Sequence, residues 1–355
     1  MEFGLQFFPS VSPEQVSGAQ YFEDSLKIVE LGEELGFTHA RIVEHYFHPY
    51  GGYSPSPLLF LAAASQRTAR MRLMTGAVLP VFNHPLKLAA EIGMLDAISN
   101  GRVEVGFARA FLPHEYARFG VPLDESRARF NEGLEAVRLL LEETGVAFEG
   151  RFHRFPATTS LPRPTQRPRP PFWIAALASD ESFANAGRLG HGLMAIPLGG
   201  AEMARLIEVY RSAWRAAGHP GRGRVMLAFH MYCHADGTYA ADVARAPMNR
   251  FLHSLVEAAE DWTTGLASSD YPDYGRLFKK LADHTFESSV AQGAAWVGTP
   301  ATIAAQIREY SERVGGFDYA SVQGNFNDLP YALVEPSMRL FAREVMPLFA
   351  PRPGV

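Results

Sequence analysis

The chain has 355 residues, 47% of them hydrophobic and 20% charged, with a formal net charge of −5. That apolar share supports a large buried core and excludes a disordered chain, while the acidic balance offers no basic field to nucleic acid or an anionic membrane. Cys233 is the only cysteine, which excludes an internal disulfide. The opening stretch MEFGLQFFPS lacks the basic start and apolar core of a secretory signal, and no apolar run reaches membrane-spanning length. A soluble cytoplasmic protein is expected.

Residues 3–8 read as a first strand and 20–35 as a helix, with Phe22, Leu26, Val29 and Leu35 on one broad face and Gly36 as its C-cap. Strand follows at 39–43, helix at 57–69, strand at 72–78, and helix at 84–98, which stops at Asn100-Gly101. Residues 102–107 form the fourth strand, and a longer connection carries a helix over 124–141. Beyond a proline-rich run, the pattern gives strand 172–177, helix 180–189, strand 191–196, helix 201–217 and strand 224–233. Residues from about 240 to 292 are helical and too long for a simple strand–helix unit, so they read as an insertion. Helix 302–314, strand 319–323 and helix 338–348 complete the alternation. Eight strands alternating with helices predict a (β/α)8 TIM barrel in a single domain, with a helical insertion after the seventh strand.

In such barrels the reacting groups come from the loops at the carboxyl ends of the strands. Those positions hold His45, Gly76, Ala108, Arg109, Leu177 to Ser179, His230, Gln323 and Asn325. Arg109 and Arg127, on neighbouring loop ends, can fork a phosphate or carboxylate, or simply pair with surface acids. The backbone N–H groups at 177–180 open a helix and suit an anion. His45 can exchange a proton near neutral pH. It can equally be a packed histidine, or join His48 and His84 in a metal-dependent hydrolase. Gly76 permits close backbone approach or marks a bulge. His114 and Glu115 fall where they could line the substrate side, and Glu44 reads as a supporting carboxylate. Trp262, Tyr271, Tyr274 and Phe278 in the insertion read as packing, in a segment placed to act as a lid over the barrel mouth. No GxGxxG fingerprint follows a strand, so a dinucleotide domain is not expected.

The blocks HARIVEHYF, RLMTGAVLP, NHPLKLAAEIGMLDAISNGRVEVGFARAF, DESRARF, PPFWIAALAS, WVGTPATIAAQI and SMRLFAREVMP occur in order along nearly the whole chain. Together they resemble the bacterial luciferase-like flavin-dependent monooxygenases. The resemblance implies a two-component enzyme in which a separate flavin reductase delivers reduced FMN. Dioxygen would then oxygenate a small organic substrate through a flavin C4a-peroxide. It implies His45 as the catalytic histidine and Arg109 and Arg127 as phosphate ligands. Thr75, Gly76 and Ala108 would lie beside the ring, with a non-proline cis peptide at Thr75–Gly76. Ala108 stands where luciferase has a reactive cysteine, so no thiol acts here. Ala176 and Leu177 replace a Glu-Ser pair of luciferase, leaving the phosphate to the backbone of Leu177 and Ala178 and to Ser179. The same fold family includes hydride-transfer enzymes that use deazaflavin F420, which stays open as an alternative cofactor. A non-catalytic flavin-binding protein is the alternative of another class. The resemblance also implies a homodimer, with the helix at 84–98 suited to the interface.

Overall fold

In the computed structural model, which describes residues 1–350, strands and helices alternate as the periodicity predicts. β1 (Glu2–Phe7), α1 (Gly18–Leu35), β2 (His39–Ile42), α2 (Pro57–Ser65), β3 (Arg72–Val78), α3 (Pro85–Ile98) and β4 (Val103–Phe107) run in regular succession. α4 (Pro113–Phe119), α5 (Ser126–Glu142) and the antiparallel hairpin of β5 (Val146–Glu149) and β6 (Arg154–Thr158) follow. β7 (Phe172–Ala176), α6 (Asp180–Arg188), β8 (Gly192–Ala195), α7 (Gly200–Ala216) and β9 (Val225–Cys233) restore the alternation. The insertion holds α8 (Gly237–Ala258), α9 (Glu260–Thr263), α10 (Tyr274–Leu281) and α11 (Phe286–Ala291). β10 (Ala295–Gly298), α12 (Pro300–Arg313), β11 (Tyr319–Gln323) and α13 (Tyr331–Glu344) complete the order.

Eight parallel strands, β1-β2-β3-β4-β7-β8-β9-β11, close into a barrel. One seam pairs Leu193 with Val225, and another pairs Leu5 with Val322. β10 pairs only with the last residues of β9, Ala295 opposite His230 through Gly298 opposite Cys233. Side-chain alternation divides each strand between two cores. On β9, Val225, Leu227, Phe229 and Met231 join the layer under the helices, while Met226 packs inside the barrel with Met74, Trp173 and Met194. Both faces are therefore buried, which is why these strands read as nearly unbroken apolar runs.

Local chemistry sets the helix ends. Ser17 accepts a hydrogen bond from the Gln20 N–H at the start of α1, and Gly36, at φ 88°, ends it as expected. The helix expected at 124–141 begins at Ser126, behind a short 3-10 turn. α13 starts well before the expected residue 338 because it accommodates Pro336 within its length. The β5–β6 hairpin, α4 and β10 have no counterpart in the sequence reading. Each is only four to seven residues long, too short for periodicity to register. No helix among the described residues is long and apolar enough to cross a membrane.

Candidate active site

The carboxyl ends of the strands open into two adjoining chambers. The inner one, about 850 Å³, is walled by His45, Gly76, Ala108 and Leu177 among others. The outer one, about 710 Å³, is walled by Arg109, Arg127 and Ser179. Ala108, Ala110, Phe111, Ala175, Ala176 and Leu177 line both and form their shared wall. Small residues dominate one side of the inner chamber: Gly76, Ala77, Ala108, Ala175, Ala176 and Ala195. Short side chains there leave room for a planar ring to lie against the wall.

His45 follows β2 and is 7% exposed. Its Nδ1 lies 3.0 Å from Oε1 of Glu115, a fully buried carboxylate on α4. The same Oε1 accepts the Tyr46 N–H at 2.9 Å, while Oε2 of Glu115 has no hydrogen-bond partner among the described residues. With Nδ1–H donating to Glu115, Nε2 is the ring atom left for the chamber. Phe8, Tyr50 and Phe111 surround the imidazole. The expectation that Glu115 lines the substrate side is corrected: it stands behind His45 and orients it. α4 supplies it, so missing that short helix hid the pairing. His114 is corrected too, since its ring nitrogens lie at 3.0 and 3.2 Å from the carbonyls of Tyr46 and Ala258, tying the insertion to the loop after β2.

Arg109 and Arg127 both reach the outer chamber, where they meet the insertion. Arg109 Nη1 donates to the Asp270 carbonyl at 3.2 Å, and its guanidinium lies 4.6 Å from the centre of the Tyr271 ring. The Asp270 carboxylate accepts the Arg127 N–H at 2.8 Å and the Ser126 hydroxyl at 2.9 Å, with Arg127 Nε at 3.7 Å. One internal carboxylate thus sits on the cationic end of the site. Nothing in the sequence near Asp270 marks it, because its partners lie more than 140 positions away. Ser179 caps α6, accepting the Ser182 N–H at 3.4 Å, and this leaves its hydroxyl proton free to donate outward. Ala178 lines a further pocket with Arg109, Arg127 and Ser179.

The cis peptide falls at Gly76–Ala77, one residue beyond the expected Thr75–Gly76. Regular pairing explains the shift. Thr75 remains in register with Ile42 and Val105, and the irregularity lies between Thr75 and Val78. Thr75 Oγ1 also donates to the Gly106 carbonyl at 2.8 Å and accepts the Gly106 N–H at 2.9 Å. Its side chain is spent inside the sheet, and the structure does not bring it to a chamber wall. Gly76 does line the wall, but a Cβ there would collide with the Arg41 stem. Close packing under the floor therefore requires glycine at this position.

Among the other candidates, burial pushes the His230 imidazole down to about 4, so it is neutral, and it lines neither chamber. Gln323 donates to the Phe8 carbonyl, and Asn325 to Ser25. His48 accepts the Tyr50 N–H, while His84 caps α3 by accepting the Leu86 N–H. His45, His48 and His84 thus have separate partners, and the described residues contain no three-ligand cluster for a metal. The insertion aromatics Trp262, Tyr271 and Phe278 are buried with Phe8, Tyr50 and Leu112. Phe278 and Tyr274 additionally face the inner and outer chambers, respectively.

A family model described as luciferase-like monooxygenase matches residues 1–316. The oxygenase component of a flavin-dependent trigonelline monooxygenase from Acinetobacter baylyi is 32% identical over 256 residues, 71% of this chain and 70% of that one. An uncharacterized protein of Sinorhizobium fredii is 37% identical over 199 residues, and the match spans only 56% of each chain. A crystal structure of a monooxygenase from Streptomyces bottropensis superposes with a TM-score of 0.87 at 42% identity, covering 99% of this chain and 100% of that one. Two more distant structures share the fold. The oxygenating constituent of 3,6-diketocamphane monooxygenase from Pseudomonas putida, in complex with FMN, has a TM-score of 0.80 at 22% identity, covering 99% of each chain. The coenzyme F420-dependent tetrahydromethanopterin reductase of Methanopyrus kandleri has 0.73 at 20%, covering 98% and 99%.

Glu44 lies beside His45 and accepts from the Tyr46 hydroxyl at 2.6 Å, Asn83 Nδ2 at 2.9 Å and the Leu79 N–H at 3.1 Å. Burial outweighs these donors and pushes its carboxyl from 4.5 up to about 7. The native protein consequently holds a proton that the unfolded chain releases between these values, and Glu44 lowers stability as pH rises through that window. Thermal melts of Glu44→Gln across pH 4.5 to 7 should show a flatter loss of stability than the parent. An unchanged slope would assign the proton to another group.

Proposed function

The chain belongs to the luciferase-like monooxygenase family, an oxidoreductase family, and on that footing we propose that it is the oxygenase half of a two-component system. In this reading a separate flavin reductase supplies reduced FMN, and a small organic substrate is oxygenated with dioxygen. The observation that carries the reading is the join between the two chambers: paired arginines at the outer end, a slot of small residues at the inner end, and His45 held by Glu115 on the inner wall. That sequence of surfaces fits a molecule with an anionic tail and a flat ring. The FMN-bound structure of the same fold and the oxygenase-component relative support it.

Arg109 and Arg127 would hold the phosphate, helped by the Ser179 hydroxyl and the N–H groups opening α6. Asp270 would have to yield its place to the incoming anion, since two anions cannot share the fork at low cost. Gly76, Ala108 and Leu177 would face the ring. When bound, reduced FMN supplies the electrons that activate dioxygen. His45 Nε2 would take or return a proton at the reacting oxygen, with Glu115 fixing the imidazole and stabilising its charged form. Phe111, Phe278 and Leu281 line the inner chamber and would help keep water out, with α8–α11 as the cover.

Anaerobic titration with reduced FMN and reduced F420 in parallel tests this reading. Tight binding of reduced FMN, followed by oxygen uptake, is expected. Binding of F420 alone, with hydride exchange and no oxygen uptake, would favour the deazaflavin alternative that the F420-dependent neighbour represents. Arg109→Ala should weaken reduced FMN about tenfold or more, the scale of a lost charged hydrogen bond. His45→Ala should keep that affinity within about threefold while substrate oxygenation falls about a hundredfold or more.

We propose a homodimer on a separate observation. Leu59 on α2 and Met94 and Ile98 on α3 are 74%, 55% and 42% exposed, and these neighbouring helices form an unusually apolar outer face. Light scattering should show a dimer for the parent chain and a monomer for Leu59→Glu; a monomeric parent contradicts the proposal.

A further inference from the structure

Arg41 is an uncompensated cation beneath the inner chamber. It sits on β2 and points into the barrel, 5% exposed. Its guanidinium donates from Nη2 to Oε1 of Gln6. Its Nε is buried with no partner among the described residues. Among the described residues no carboxylate stands within salt-bridge distance of it, and burial alone pulls its pKa down, to about 10. Glu44 and Glu115, the two carboxylates near the chamber, are engaged with Tyr46, Asn83 and Leu79 and with His45, respectively. His39, two residues before Arg41, is held neutral by burial, which pushes it down to about 3.

A buried guanidinium without an anion is costly, by several kcal/mol in general. Chains retain such groups where a ligand supplies the missing charge. Arg41 lines the inner chamber together with Gly76, Ala77 and His45. Gly76 is packed on the Arg41 stem with no room for a Cβ, so the floor holds the side chain in place. We propose that Arg41 is an anion receptor: the group buried deepest in the inner chamber carries a delocalised negative charge that its guanidinium neutralises. Two sources provide that chemistry. One is the reduced flavin ring, a monoanion near neutral pH; the other is a carboxylate or phenolate on the substrate. The first rests on the FMN reading above, and the second does not.

The test uses the full chain, Arg41→Met and Arg41→Lys. Without ligand, Arg41→Met should melt at or above the parent temperature, because a charge lacking a partner has been removed. Dissociation constants are then measured anaerobically for oxidised FMN, reduced FMN and, as a probe of substrate anions, benzoate. If the charge is on the ring, Arg41→Met loses about tenfold or more in reduced FMN affinity, the oxidised form stays within about threefold, and Arg41→Lys recovers part of the loss. If it is on the substrate, both FMN forms bind as in the parent, while benzoate binds the parent and about tenfold or more weakly to Arg41→Met. A lowered melting temperature with both FMN forms weakened equally marks Arg41 as structural and overturns the proposal. So does a variant that binds every probe as the parent does. A parent that binds no FMN defeats the FMN reading instead, and the receptor then stands or falls on benzoate.

Discussion

Closure of the eight-stranded ladder is the constraint on which the site depends. The register that pairs Leu193 with Val225 on one seam and Leu5 with Val322 on another makes every strand end converge on one rim. His45, Gly76, Ala108 and Leu177, spread over more than 130 positions of sequence, then face a single chamber. The interior below is filled rather than open, with Met74, Trp173, Met194 and Met226 as its plug. Such a packed floor limits ligands to the carboxyl ends of the strands, where loops rather than the scaffold vary.

Charge is distributed along the site in a pattern that follows from burial. Arg109 and Arg127 lie at the outer end, partly exposed, and an internal carboxylate, Asp270, meets them. At the inner end Arg41 is buried and has no such counterpart among the described residues. Glu115, fully buried, is matched by His45 and the Tyr46 N–H. Exposed ions can be satisfied by water and cost little, whereas buried ones need a specific partner. The contrast between the two ends therefore carries information about what binds. An anion at the outer end competes with a resident group, and one at the inner end fills a gap.

Much of this was legible in the sequence. Apolar runs of five to ten residues separated by helix-period segments identify the eight barrel strands, because strands buried on both faces leave that signature. The resemblance then singles out His45, Gly76, Ala108, Arg109, Arg127, Leu177 and Ser179, each of which lines one or both chambers. Other features were hidden for identifiable reasons. Glu115 reads from the sequence as a substrate-side residue, since its contact with His45 across 70 positions leaves no local trace. Asp270 sits in an insertion whose fold is specified by packing onto Tyr116 and Arg109, not by its own periodicity. Thr75 looked like a wall residue, yet its hydroxyl is committed to Gly106. Nothing local marks Arg41: a charged residue in a strand usually faces solvent, and only closure of the barrel places this one inside.

The central claim is that one continuous groove grips a phosphate at its outer end and a flat ring at its inner end. A crystal structure determined after soaking with FMN tests it most directly. The account predicts the phosphate between the Arg109 and Arg127 guanidinium groups, the Asp270 carboxylate moved off them, and the ring lying against Gly76 and Ala77. A phosphate bound away from both arginines, or a ring outside the inner chamber, would contradict it.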